Sequence, residues 1–141
     1  MTDKKATITV VGRQLVDGEP DITEISVKGT YRKTDKGYIA EYTDFESLEG
    51  SEKTVISVNG ETMLMTKFGD VSTEMLFRQG ERSNSDYITP FGNITIGIYT
   101  KKLESSLDEN GGRVSLEYTI DFNSGFAALN ELEITVDAIN E

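Results

Sequence analysis

Residues 113–122 read Arg113-Val114-Ser115-Leu116-Glu117-Tyr118-Thr119-Ile120-Asp121-Phe122. Val114, Leu116, Tyr118, Ile120 and Phe122 fall on one parity, while Ser115, Glu117, Thr119 and Asp121 fall on the other. Side chains of an extended strand point alternately to opposite faces, so this stretch predicts a strand with one apolar face and one polar face. A slip of one residue would bury two carboxylates, which fixes the register strongly. The stretch is bounded by Asp108-Glu109-Asn110-Gly111-Gly112 before it and Asn123-Ser124-Gly125 after it, both turn-forming compositions.

The same alternation runs outward in both directions. Downstream, Leu132, Ile134, Val136 and Ala138 complete a last strand. Upstream, Ile94, Ile96 and Ile98 alternate, as do Val71, Thr73, Met75 and Phe77. Asn59-Gly60 is the best short hairpin signal, because both residues tolerate positive φ. At the start, Ala6, Ile8, Val10, Gly12, Gln14 and Val16 share a face, and Asp17-Gly18-Glu19-Pro20 turns into a run carrying Ile25, Val27, Gly29 and Tyr31. Tyr38, Ala40 and Tyr42 follow after the turn at Asp35-Lys36-Gly37, and a polar loop spans Glu46–Glu52. Gln79–Asp86 is the longest polar stretch, with a short strand expected over 86–90. No window shows a helical period. Eight to ten strands with short connections predict antiparallel neighbours and one core layer. The expectation is a single all-β domain over residues 1–141, an antiparallel β-barrel, because closure removes the exposed edges such strands would carry. Gly12, Gly29 and Gly97, all inside strands, are expected to mark bends or bulges.

Composition supports this. Ile, Val, Thr, Tyr and Phe account for 49 of 141 residues, against 14 for Ala and Leu together. Cys and His are absent, which removes disulfides, thiol nucleophiles, the usual transition-metal ligands and a histidine general base. The net charge is −11, so nucleic acid, whose phosphates must be neutralised by Lys and Arg, is not an expected partner. Residues 103–141 hold nine acids and one base, read as a solvated outer sheet face that favours solubility. The start, Met1-Thr2-Asp3-Lys4-Lys5, leads straight into a strand pattern without an apolar signal region, and no apolar run is long enough to span a membrane as a helix. A cytoplasmic location is the expectation.

Thr89-Pro90-Phe91-Gly92-Asn93-Ile94-Thr95-Ile96-Gly97, followed by Thr100-Lys101-Lys102-Leu103, together with Asp108–Tyr118 and the upstream Leu48-Glu49-Gly50 and Thr54, resembles the YwiB-like family of small bacterial proteins. The likeness runs from about residue 6 to residue 138. The resemblance implies a calycin-like β-barrel, the architecture shared by lipocalins and fatty-acid-binding proteins. It carries no established activity, and a shared barrel does not transfer a function.

No motif calls for a metal or a cofactor. Asp108–Arg113 fails the calcium-loop pattern, with Gly112 where an oxygen ligand is needed and Arg113 where glycine is needed. The carboxylates alternate opposite the apolar stripes, as solvated outer groups do. The informative residues are the polar ones on inward stripes: Gln14, Tyr31, Tyr42, Thr100 and Tyr118. Buried, they need hydrogen-bond partners. A few such groups on an apolar wall describe a small-molecule site, and partners within a filled barrel describe the alternative. Met63, Met65 and Met75 serve either as core filler or as an adaptable wall. Two functions follow from these alternatives. One is non-catalytic binding of an apolar or amphipathic small molecule inside the barrel. The other is an interaction module, with a homodimer as one form. An enzyme is the least expected.

Overall fold

The computed structural model describes residues 3–16, 19–44, 52–69, 72–122 and 127–139. Ten strands run in chain order: β1 (Lys4–Val16), β2 (Glu19–Lys33), β3 (Tyr38–Asp44), β4 (Glu52–Asn59), β5 (Thr62–Phe68), β6 (Ser72–Arg78), β7 (Arg82–Thr89), β8 (Gly92–Asp108), β9 (Gly111–Phe122) and β10 (Ala127–Ala138). Each pairs antiparallel with its chain neighbour, and β10 returns to β1, so the sheet closes as an up-and-down barrel. No helix occurs among the described residues. The all-β antiparallel barrel read from the alternation is the fold, at the upper end of the expected strand count.

The expected stripes face inward. Ala6, Ile8, Tyr31, Ala40, Ile56, Met63, Phe77, Ile96, Ile98, Val114, Leu116, Ile134 and Val136 are buried together. Glu133 and Asp137, of the opposite parity on β10, are exposed. The Val71 position, the side chains of Val16 and Phe122, the turns at Asp17-Gly18 and Asn123-Ser124-Gly125, and Leu48-Glu49-Gly50 lie outside the described residues.

Four local readings change. Ile94, expected inward, is 49% exposed, because it sits near the end of β8 opposite Tyr87. The hairpin at Asn59-Gly60 is shifted by one residue: Asn59 pairs with Thr62, and Gly60, at φ +60°, opens the two-residue loop. The polar stretch 79–86 belongs largely to β7. Its serines are consumed in the wall, where the Ser83 hydroxyl donates to the Leu76 carbonyl at 2.8 Å and that of Ser85 to the Glu74 carbonyl. The bulge lies between Thr100 and Lys102, not at a glycine. One extra residue there switches the inward parity of β8 from Ile96, Ile98 and Thr100 to Leu103 and Leu107. The Gln79 side chain accepts from the Leu103 N–H at 3.0 Å, and the 79–81 turn bonds to both main-chain groups of Thr100, so the bulge keeps its hydrogen bonds.

Gly29 and Gly97 instead mark close approach. A Cβ on Gly97 would lie 2.1 Å from Arg82 Nη2. Its absence lets the Arg82 guanidinium cross β8 and form two hydrogen bonds with the Asp121 carboxylate on β9, at 2.7 and 2.8 Å. This clasp favours the guanidinium charge through its hydrogen bonds first and its Coulomb attraction second, and raises the Arg82 pKa.

Candidate functional site

The two barrel ends differ. One end gathers the β2–β3, β4–β5, β6–β7 and β8–β9 connections. Tyr31 closes it. Its ring stacks on Tyr38 at 5.4 Å and its hydroxyl donates to the Asp108 carbonyl at 2.9 Å. Burial, with Tyr38 and Asp108 adding to it, raises the Tyr31 pKa above its usual value. The middle of the barrel is packed with side chains: Ile8, Met63, Phe77 and Ile98 have no exposed surface. No water-sized space touches these four side chains, so the barrel is filled at their level.

The opposite end opens into a cavity of about 330 Å³. Its wall combines Thr73 and Met75 of β6, Tyr87 of β7, Tyr118 and Ile120 of β9, and Asn130 of β10. Gln14 of β1 and the charged pair Glu52 and Lys67 complete it. Gln14, Tyr118 and Asn130 also line an adjoining cleft of about 250 Å³ that reaches Asp21 and Thr23 of β2. A further hollow, about 370 Å³, lies outside the barrel between Arg13, Ile22, Lys102 and Glu131.

Tyr118 is the pivot of the mouth. It is only 8% exposed, and its ring meets Phe77 edge-on at 4.9 Å. Burial, and secondarily the neighbouring Tyr87, push its pKa up to about 12, so the hydroxyl keeps its proton at neutral pH. That hydroxyl makes no hydrogen bond among the described residues. Asn130, 8% exposed, donates from Nδ2 to the Ala128 carbonyl at 3.2 Å. Lys67 Nζ lies 3.6 Å from Glu52 Oε1.

Of the five residues chosen from the sequence, the mouth brings together two, Gln14 and Tyr118. Gln14 is exposed at the rim and not buried. Tyr31 sits at the closed end, so it does not share a site with Tyr118. Tyr42 is buried in the packed wall between Gly29 and Thr54. Thr100 is 1% exposed beside Tyr118, and its Oγ1 is the buried side-chain oxygen without a partner among the described residues. Sequence reasoning missed Glu52, Lys67, Tyr87 and Asn130. Lys67 was legible, being two residues beyond Met65 on the same parity. Asn130 was legible as two residues before Leu132. Among the described residues no group of three or more Asp and Glu is placed to hold a metal ion, and no helix is long and apolar enough to cross a membrane.

The comparisons agree with this architecture. The chain is 28% identical over 122 residues to the uncharacterized beta-barrel protein YwiB of Bacillus subtilis (strain 168), covering 86% of this chain and 84% of that protein. It superposes on the crystal structure of the ywiB protein from Bacillus subtilis with a TM-score of 0.87 and 26% identity, over 98% of this chain and 94% of that one. Residues 8–134 match the profile of a domain of unknown function, DUF1934. Ten antiparallel strands closed into a barrel and a family match across nearly the whole chain place this protein in the DUF1934 family, to which the YwiB-like resemblance pointed.

Proposed function

We propose that the protein is a non-catalytic binder of a small amphipathic molecule, held in the open mouth of the barrel. The observation that carries this reading is Tyr118: a side chain only 8% exposed at the cavity wall, with a hydroxyl that is protonated at neutral pH, bonded to no group among the described residues and accessible from the cavity. Such a hydroxyl is free to donate to an acceptor on a ligand that enters the cavity. Met75 and Ile120 supply apolar wall beside it, and about 330 Å³ sits at the small end of ligand pockets, ~300–1,000 Å³. The filled middle confines the ligand to the mouth. A long acyl chain threaded along the axis does not fit this arrangement. Among the described residues of the wall, the two charged side chains, Glu52 and Lys67, face one another, an arrangement that suits holding a ligand.

The test is saturable fluorescence of Nile red, a neutral amphipathic dye. Wild type binds it. Tyr118→Phe weakens binding by about 0.5–1.5 kcal/mol, the worth of one hydrogen bond. Tyr31→Phe, at the closed end, leaves it unchanged. Absence of saturable binding, or equal effects of the two variants, defeats the reading.

A second reading has its own observation. Ile88, Phe91 and Ile94, on the β7–β8 hairpin, are 54%, 100% and 49% exposed. Neighbouring apolar side chains of this kind suit an interface, a homodimer being the simplest. Native mass spectrometry of wild type and Phe91→Ser decides it: a dimer lost in the variant supports this reading, and a monomer in both ends it.

A further inference from the structure

We propose that the molecule held in the mouth is a zwitterion carrying an apolar group, the chemical class of the apolar amino acids. This rests on the reading of the mouth as a binding site. The inference starts from parity. Thr54 and Met65 point inward, so Glu52, two residues before Thr54, and Lys67, two residues after Met65, occupy inward positions as well. Both line the cavity. The buried middle of the inward stripes is uncharged and the outer faces carry most of the charge, as in the Lys53–Glu41 pair, while other inward-parity charges, such as Lys4 and Asp21, stand toward strand ends. Two opposite charges placed on the inside of a barrel, with side chains only 19% and 38% exposed, lose hydration that their mutual attraction replaces only in part.

Their geometry leaves them incomplete. At 3.6 Å the ammonium and carboxylate attract each other without forming a hydrogen bond. Lys67 keeps donors and Glu52 keeps lone pairs directed to other partners. A ligand with a single charge gains from one member of the pair and is repelled by the other at nearly the same distance. A zwitterion laid antiparallel to the pair, its carboxylate toward Lys67 and its ammonium toward Glu52, gains from both. The Tyr118 hydroxyl, on a side chain only 8% exposed and bonded to no group among the described residues, then donates to the ligand carboxylate. Met75, Ile120 and the Tyr87 ring receive the apolar side group. The protein's −11 charge repels free anions at long range, whereas a zwitterion has no net charge to be repelled.

Isothermal titration calorimetry at pH 7 with three ligands tests this: L-phenylalanine, phenethylamine, which lacks the carboxylate, and 3-phenylpropanoate, which lacks the ammonium. L-phenylalanine is expected to bind at least roughly tenfold tighter than either analogue. The preference then inverts in a charge-specific way. Lys67→Met should favour phenethylamine, because Glu52 remains. Glu52→Gln should favour 3-phenylpropanoate, because Lys67 remains. Circular dichroism checks that each variant is folded, and the two opposite shifts cannot both arise from damage to the fold. Equal binding of a singly charged analogue to wild type, or unchanged selectivity in both variants, overturns the proposal. If none of the three binds while Nile red still does, the zwitterion class is wrong and the mouth stands. If Nile red fails too, both fall.

Discussion

Gly29→Ala adds one methyl group and should destabilise the fold severely. Gly29 lies on β2 between Ala6 of β1 and Tyr42 of β3. Its backbone is not in the left-handed region, so conformational freedom is not the reason for glycine here. Space is. A Cβ at this position would stand 2.0 Å from the Glu41 carbonyl oxygen, 2.9 Å from Ile8 Cδ1 and 3.0 Å from Tyr42 Cβ. Carbon and oxygen in contact need about 3.3 Å, so β2 and β3 would have to move apart by over ~1 Å. The obstacle is main chain and cannot rotate away. The displacement disrupts the ladder where Thr30 faces Glu41 and Tyr31 faces Ala40. Two buried hydrogen bonds left broken, at ~1–3 kcal/mol each, place the cost at roughly 2–6 kcal/mol, against a typical total stability of ~5–15 kcal/mol. Gly12→Ala is the control. Its Cβ meets the rotatable Thr23 hydroxyl at 3.1 Å and Leu132 Cδ1 at 3.8 Å. Reduced chain entropy in the unfolded state offsets that contact, so the change should stay within ~1 kcal/mol. Urea unfolding of wild type and both variants, with slopes compared to confirm a common two-state transition, measures the difference. Equal destabilisation by the two substitutions would refute the close-approach argument.

Leu116, 4% exposed and flanked across the ladder by Leu103 and Leu132, should lose about 2–5 kcal/mol on mutation to Ala. Glu117 faces Glu131 on one side and Lys102 on the other, so Glu117→Ala should change little, and equal melting shifts for the two would show the face assignment wrong. Tyr118 titrates near 10 in the unfolded chain and at about 12 in the fold. Its contribution is therefore intact below pH 10 and declines above it, with roughly 2 kcal/mol lost by pH 12 at ~1.4 kcal/mol per pH unit. Tyr31, shifted the same way, adds to the alkaline decline, and Tyr118→Phe should flatten it; an unchanged slope in that variant would contradict the burial of the hydroxyl. The β6–β7 ladder is formed at Ser72–Ile88 and Thr73–Tyr87, with serine hydroxyls bonding the β6 carbonyls beyond. Amides in the middle of β6 and β7 should exchange with solvent at least roughly tenfold faster than those between β1 and β10, and uniform protection around the barrel would show the seam to be closed.

The fold was legible because the barrel core needs one thing from each strand, an apolar residue at every second position, and the chain supplies it almost without exception. Val114–Phe122 alone determines a face. What parity cannot show is where it changes. The bulge after Thr100 involves Lys101 and Lys102, residues with no turn signature, and its hydrogen bonds come from Gln79, 24 positions away. Ser83 and Ser85 read as loop because their polarity is used inside the wall. The site was legible in kind but only partly in place. Inward polar residues were sought, and Gln14 and Tyr118 meet at the mouth. An inward position on a stripe says nothing of height along the barrel axis, which separates Tyr31 from Tyr118. Height follows from strand order and stagger, known only once the sheet is closed.

The central claim is that the mouth around Tyr118 is the binding site, and a ¹H–¹⁵N correlation titration with L-phenylalanine, followed by Nile red, tests it most directly. The account predicts saturable shifts at Thr73, Met75, Tyr87, Tyr118, Ile120 and Asn130, with Lys4, Tyr31 and Asp108 at the closed end unmoved. Shifts concentrated instead at the closed end or along Arg13, Lys102 and Glu131 outside the barrel, or no saturable shift with either compound, would contradict it.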